Sequence, residues 1–329
     1  MRGGEHYMKS TIFSFGTMVL LGTFAMVGCS DSDLKIGAAK QSGNYFKFAE
    51  SLSEQLKADG EFKVKVMETS GSATNVRQLN NNNFQLAFAQ NDVAYDAYHA
   101  AGIFRGGFEM NAFSAVAGLY TEACHVIVRA DSNINKISDL SGKKVSVGEL
   151  HSGTEKNALQ ILETYNLADS YKITQINLSY DDSIQAIKNN KIDAFFVTLA
   201  VNDNLIKKLS NELQIKVLPV ENDKVEKIID NYTYYSPYTI PAGTYKGQTE
   251  DVNTVGIKSL LLVSNNLSDD DVYKITSIFF KNSGKYGDIL PKNYSITPEN
   301  ASKNVSVPFH KGASKYYAEK GILVPTDYK

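Results

Sequence analysis

The chain reads as a two-lobed α/β protein, and three observations carry that reading. From Leu34 onward short apolar strands alternate with helical patterns, the alternation occurs twice with one layout, and two long extended stretches link the copies. About 300 residues follow the N-terminal segment described below, more than a single core usually organises.

The first copy opens with a strand at Leu34 to Gly37 and a helix from Tyr45 to Lys57, whose Ala49, Leu52 and Leu56 share one face. Phe62 to Met67 follows with Val64 and Val66 at strand spacing. A helix from Ala73 to Asn80 leads into Phe84 to Ala89, an apolar run suited to a strand covered on both faces. Gln90-Asn91-Asp92-Val93 then starts a helix carrying Tyr95 and Tyr98.

The second copy runs through a strand at Lys144 to Gly148, a helix from Thr154 to Tyr165, a strand at Ile173 to Leu178, a helix from Ser183 to Asn189 and a buried strand at Ile192 to Val197. Right-handed crossovers put all the strand-to-helix loops on one edge of each sheet, where open sheets bind their ligands. Ala112 to Ala130 carries the chain out of the first lobe and Thr254 to Val263 brings it back, so two crossings imply a hinge. The expected lobes are residues 34–124 with 252–329, and residues 125–251. Asp270 to Asn282 and Ala313 to Lys320 are expected as outer helices.

Ahead of the first strand, Lys9 precedes an almost wholly apolar or small run from Ile12 to Val27, which stops at Met26-Val27-Gly28-Cys29-Ser30. This reads as a lipoprotein export signal over residues 1–28, with Cys29 acylated and residues 29–33 as a linker. The run is short and abruptly ended for a membrane-spanning helix of ~20 residues, and an uncleaved anchor is the alternative. Met1 to Tyr7 look unlike the start of a signal and fit an over-long start choice. The body is therefore expected in the periplasm or at the cell surface, lipid-anchored to a bacterial membrane.

The formal net charge is −2, with no basic stripe, so nucleic-acid binding has nothing to rest on. Of the two cysteines, Cys29 would be lipidated, which leaves Cys124 expected as a buried, inert thiol. Asn-x-Ser/Thr sequons such as Asn177-Leu178-Ser179 carry no weight beside a bacterial-type lipid signal.

After the first strand of each copy come a glycine, a short spacer, then Ser-Gly and a helix: Gly37 with Ser42-Gly43-Asn44, and Gly148 with Ser152-Gly153-Thr154. Ser152-x-x-Glu155 is a capping-box pattern. Glycines let backbone N–H groups approach a ligand, and a helix N-terminus suits a carboxylate or phosphate. Plain helix capping explains either loop alone; the recurrence in both copies points to binding. The expected ligand-binding set is Ser42, Gly43, Asn44, Tyr45, Ser72, Asn75, Gln90, Asp92, Tyr120, Ser152, Gly153, Thr154, Asn157 and Thr198. Asp92 could meet an ammonium group or simply cap its helix, and Tyr120 could face the cleft or pack in the hinge. Asp181-Asp182-Ser183 occupies a matching loop. Arg77 could clamp a carboxylate or point to solvent, so anion binding is expected to rest on backbone and hydroxyl donors.

Enzyme readings find little. His99, His125, His151 and His310 are dispersed, no metal-binding pair or nucleophile elbow occurs, and His151 beside Ser152 is poorly placed to act as its base. No cofactor is expected.

These residues resemble the TAXI family of substrate-binding proteins, the extracytoplasmic receptors of TRAP-type transporters. The strongest segments are Gln90-Asn91-Asp92-Val93-Ala94-Tyr95-Asp96-Ala97-Tyr98, Ile137 to Gly148, Ser152-Gly153-Thr154-Glu155 and Ile240-Pro241-Ala242-Gly243-Thr244-Tyr245-Lys246-Gly247-Gln248. The resemblance implies a two-lobed type II periplasmic-binding-protein fold that closes on a small organic anion, such as glutamate or a dicarboxylate or 2-oxoacid, and delivers it to a TRAP-type permease. The chain departs from the family pattern at Gly37-Ala38-Ala39, at Tyr45-Phe46, near Thr121 and Ala123, and at Leu199-Ala200-Val201, which bears on the ligand more than on the fold. The alternative is a surface lipoprotein that uses the fold for sensing, adhesion or partner binding with a degenerate cleft.

Overall fold

Alternating strand and helix patterns fold as the periodicity predicts, with boundaries shifted by one to three residues at most element ends. The computed structural model describes residues 33–201, 203–291 and 294–327; the predicted signal and Cys29 lie outside them. β1 (Leu34–Gly37), α1 (Asn44–Asp59), β2 (Val64–Met67), α2 (Ser72–Asn80), β3 (Leu86–Gln90) and α3 (Asn91–Tyr98) make the first unit, in which β1 pairs in parallel with β2 and β3. The long strand β4 (Phe113–Arg129) follows.

The second unit is β5 (Lys144–Ser146), α4 (Gly153–Thr164), β6 (Thr174–Ile176), α5 (Tyr180–Lys188) and β7 (Ala194–Leu199), with β5 paired in parallel to β6 and β7. The loop expected at Asp181-Asp182-Ser183 is instead the first turn of α5. Ser179 supplies the cap that moves the helix start forward, its hydroxyl accepting the Asp182 N–H. Sequence reading did not place α6 (Asn204–Glu212), β8 (Ile215–Val217), α7 (Asn222–Asn231) or β9 (Tyr235–Ile240). The last strand, β10 (Val252–Ser264), precedes α8 (Asp269–Lys281), the short α9 (Pro298–Ala301) and α10 (Lys311–Glu319).

Among the described residues the ten strands form one mixed sheet, ordered β2-β1-β3-β10-β4-β7-β5-β6, with β8 on β4 and β9 on β10. β4 and β10 run antiparallel through its centre. The N-terminal part of β4 pairs with β10 and its C-terminal part with β7 and β8, while β10 passes from β9 to β3. Each strand therefore pairs in both halves of the sheet.

Burial divides along the same line. One apolar cluster draws on residues 34–120 and 260–317, with Ala200 added; the other two draw on residues 123–257. Residues of α1 and α8 that point inward, among them Phe48, Leu52, Ile275 and Phe279, are fully buried, so amphipathic patterning rather than propensity holds these helices.

Candidate functional site

Four helices begin around one cavity. Gly43, Gly71, Gln90 and Ser152 are the residues preceding α1, α2, α3 and α4, each reached from the end of a parallel strand, directly at Gln90 and through a short loop at the other three. The cavity, open to solvent on one side, has a volume of about 60 Å³ and is lined by Gly43, Gly71, Ser72, Gln90, Ser152, Gly153 and Thr154, joined by Ala39, Lys40, Ser70, Glu149 and Tyr180. Its walls come from both halves of the sheet.

The first N–H groups of a helix have no partner within it and are ordinarily met by a capping side chain. α1, α2 and α3 have no side-chain cap; α4 alone has one, the Ser152 hydroxyl accepting the Glu155 N–H at 3.1 Å. The predicted capping box is only half made, since the Glu155 carboxylate accepts the His151 N–H at 2.7 Å and the Asn177 amide at 2.8 Å instead of the Ser152 N–H. Uncapped helix starts aimed at a shared space form an anion site through their donors and their dipoles.

Two hydroxyls, one from each half, add to these donors. Ser72 Oγ accepts the Gln90 N–H at 3.0 Å, as Ser152 Oγ accepts that of Glu155, and among the described residues neither hydroxyl donates its own proton to a protein acceptor. Thr154 and Tyr180 are different. Thr154 Oγ1 accepts the Thr198 N–H at 3.2 Å and lies 2.7 Å from the Tyr180 hydroxyl, which in turn donates to Thr198 O at 3.0 Å. That pair is spent on joining α4, α5 and β7.

Gly153 sits against Gln90 so closely that a Cβ there would fall 1.8 Å from Gln90 Oε1. The glycine is required for the two halves to meet. Gln90 is buried; its Nε2 donates to Glu122 Oε2 at 3.3 Å and its Oε1 has no hydrogen-bond partner.

Glu122 is the functional residue that sequence reading missed. It stands in β4 behind Gln90, only 5 % exposed, with Tyr45 OH donating to Oε2 at 3.2 Å and Tyr120 OH to Oε1 at 3.2 Å, and among the described residues no cation pairs with it. Burial pushes its carboxyl up to about 8 against the pull of these three donors. A lone acid inside the otherwise nearly apolar run of residues 113–128 was the available signal.

Several expected site residues lie off the cavity. Tyr45 and Tyr120 are buried with their hydroxyls on Glu122, and Tyr120 stacks on Phe48 at 5.7 Å, so its hinge-packing alternative is the one the structure adopts. Asn75 is fully buried and spends its amide on Ala38 O and Phe88 O, tying β1 to β3. Ser42 donates to Asp181 across the cleft lip at 3.1 Å, and Asn44 faces an adjoining open recess with Lys47, Asp203 and Lys207. Thr198 is buried beside Cys124. Arg77 neither clamps an anion nor points freely outward; its guanidinium lies 4.8 Å over the Phe104 ring.

Asp92 meets an ammonium group, but the protein's own. Lys156 Nζ lies 3.1 Å from Asp92 Oδ2, 2.8 Å from Asp96 Oδ2 and 4.4 Å above the Tyr234 ring, and Asn157 donates to Asp92 at 2.9 Å and to Tyr235 at 2.8 Å. Asp92, Asp96, Lys156 and Asn157 are all buried, which makes this an internal junction between α3 and α4. At the cavity the cation is Lys40, a lysine that sequence reading left out, 3.7 Å from Glu149.

Cys124 is buried, and its thiol is pushed up to about 12 by burial. The Ile240 to Gln248 segment folds back on itself through Gln248 and plants Tyr245 on His125 at 2.8 Å, away from the cavity. Among the described residues no group of three or more His, Cys, Asp or Glu could hold a metal, and no helix is long and apolar enough to cross a membrane.

The pattern of the NMT1-like family matches residues 36–321. Among solved structures, PhnD1 from Prochlorococcus marinus in complex with methylphosphonate shares 12% identity over 80% of this chain and 92% of its own, with a TM-score of 0.54. The periplasmic binding protein BugD shares 11% over 87% and 92% at 0.54. XAC2383 from Xanthomonas citri bound to ATP shares 9% over 87% and 98% at 0.51. At these identities the likeness is one of fold.

Proposed function

Given that the chain belongs to the NMT1-like family and has the type II periplasmic-binding-protein fold, we propose that it is a non-enzymatic, extracytoplasmic receptor for a small organic anion. In this reading residues 34–124 with 252–329 form one lobe and residues 125–251 the other, and bending in β4 and β10 closes them on the solute. Ligand would favour the closed state by the difference in its affinity for the two states. The observation that carries the reading is the set of uncapped starts of α1, α2 and α3 around one cavity, which Ser72 and Ser152, one from each half of the sheet, also line.

Two finer parts of the proposal rest on sequence. The likeness of residues 90–98 and 240–248 to TAXI receptors supports delivery to a TRAP-type permease, and the Met26 to Ser30 lipobox supports anchoring through an acylated Cys29. Co-purification with TRAP membrane subunits and the mass of the mature N-terminus test these two points.

For binding, the test is the thermal transition of refolded, ligand-free protein across amino acids, dicarboxylates, 2-oxoacids and methylphosphonate. A solute at a thousandfold excess over its Kd adds ~4 kcal/mol and raises Tm by several degrees. Ser72→Ala and Ser152→Ala should each weaken that response. A panel without any response, or full affinity in both variants, would refute the assignment.

A further inference from the structure

Directly behind the cavity wall lies the Glu122 carboxyl, separated from the cavity by single side chains. Gln90, which lines the cavity, donates its amide to Glu122 Oε2 at 3.3 Å. Tyr45, donating to the same oxygen at 3.2 Å, stands in the first turn of α1, two residues after the cavity-lining Gly43. Tyr180, another lining residue, is within electrostatic reach of the same carboxyl from α5.

Every group bonded to this carboxyl is neutral. Burial holds the Tyr45 and Tyr120 hydroxyls well above their ordinary range, and Gln90 carries no charge. The charges that reach the cluster have the same sign as an ionised Glu122: Asp92 at the start of α3 acts on it, and Asp203 ahead of α6 acts on its partner Tyr120. On β4 the neighbouring thiol of Cys124 is neutral, and on β10 the residue paired with Glu122 is Ile257. The cations on adjoining elements are committed elsewhere, Lys156 of α4 to Asp92 and Asp96, and Lys258 of β10 to the carbonyls of Asn300 and Lys303. Ionised Glu122 thus stands without a counter-charge, and burial favours its neutral form.

An anion seated at the starts of α1 and α3 adds a second negative charge on the other side of Gln90 and Tyr45, where water screens poorly. It therefore favours protonated Glu122, and by reciprocity protonated Glu122 favours the anion. Resting on the reading of the cavity as an anion site, we propose that Glu122 is a proton site coupled to the solute site, so that the receptor captures its anion together with a proton.

The window follows from the carboxyl of the empty protein, which burial pushes up to about 8. Affinity is full below that pH and falls above it until Glu122 of the complex ionises as well. For a coupling of about tenfold, within the range usual for linked sites, Kd rises about fivefold from pH 7 to pH 9, and about half a proton is taken up per anion at pH 8.5.

Calorimetric titration of the full chain with succinate, 2-oxoglutarate and glutamate tests this, since their carboxylates stay ionised over the whole range. Triethanolamine and Tris are suitable buffers, being cationic and different in ionisation enthalpy. The expected result is a binding enthalpy that differs between the two buffers at pH 8.5 in the sense of proton uptake, with weaker binding at pH 9 than at pH 7. Glu122→Gln, neutral at every pH, should bind the same anion without proton uptake and with one Kd at both pH values, although it retains Lys258, itself pushed down to about 8. Tyr45→Phe removes a donor that favours ionised Glu122 and should move the weakening to higher pH, which keeps the test available if the glutamine variant does not fold. Equal enthalpies and a constant Kd in the wild type, or uptake that persists in Glu122→Gln, would overturn the coupling while leaving the anion site intact. If none of these anions binds, the anion-site reading falls and this proposal with it.

Discussion

Replacing Glu122 by glutamine should change how the stability of the protein depends on pH, and the size of the change can be worked from its surroundings. The carboxyl is buried, receives three neutral donors and is pushed from 4.5 up to about 8 by desolvation. A group whose pKa is higher in the folded state contributes stability below its unfolded pKa and loses it as pH rises through the folded value. Here the contribution is complete below 4.5 and gone above about 8. At 1.36 kcal/mol per pH unit the whole effect is at most about 5 kcal/mol, of which about 4 falls between pH 5 and 9. His125, pushed down to about 4, and Lys258, pushed down to about 8, have pH effects of their own, but these are common to both proteins. Urea titrations of ligand-free wild type and Glu122→Gln at pH 5, 7 and 9 isolate the difference. The variant should be the more stable protein at pH 9 by several kcal/mol relative to its standing at pH 5. Parallel curves, with a difference under about 1 kcal/mol across the range, would show that Glu122 ionises normally and that the buried, uncompensated carboxyl is misread.

Breaking the junction between α3 and α4 by Lys156→Met leaves Asp92 and Asp96 buried without their cation and should cost ~3–5 kcal/mol, read as a fall in the urea midpoint; a change under about 1 kcal/mol would refute the buried pairing. Gly153→Ala places a methyl group 1.8 Å from Gln90 Oε1, so it should abolish or sharply weaken solute binding while the isolated fold still melts cooperatively. Normal binding by that variant would mean the two halves need not meet at Gly153. Cys124, buried with its thiol pushed up to about 12, should resist thiol reagents at pH 8 in the native protein and react only on unfolding. Rapid labelling of folded protein would contradict its burial.

The legible part of the fold is the part governed by periodicity. β3 and β7 are buried at every position and read as continuous apolar runs, and β4 and β10 are long enough to be recognised as crossings. α6 and α7 escaped because each buries only two or three residues, Ile206, Leu209 and Ser210 in one and Val225 and Ile228 in the other, and β8 is three residues long. At the cavity, Gly43, Ser72, Gln90, Ser152, Gly153 and Thr154 were legible because strand-to-helix loops must share an edge. Asn75, Asp92 and Asn157, expected at the site, spend their polar groups on internal partners, because polar type does not reveal which way a side chain faces. Glu122 and Lys40 show the converse, since a residue's role at a site assembled from two halves depends on what the other half brings.

The contacts between the two halves differ in what it would cost to break them, and on the proposed closure this says where a pivot would lie. At the cleft lip, Lys40 pairs with Glu149 at 3.7 Å with both side chains substantially exposed, and the Ser42 to Asp181 bond is exposed as well. Such contacts are worth ~0–1 kcal/mol each and open readily. The Lys156 junction is fully buried, joined through Asn157 to Tyr235, and Tyr235 pairs with Ile257 where β9 meets β10. Separating it would strand buried charge, so it should remain closed while the lip parts, making it the pivot rather than a latch. Motion of this kind swings the starts of α1 and α2 away from that of α4, leaves α3 close to α4, and exposes Ser72 and Ser152 to solvent. On the proposed mechanism a solute that meets both hydroxyls in the closed state would lose one of them on opening, and that difference in affinity would drive closure. A distance measured between labels at Ser42 and Asp181 should therefore shorten on binding, while one between Asp96 and Tyr234 should not move. Movement at the second pair would place the pivot elsewhere.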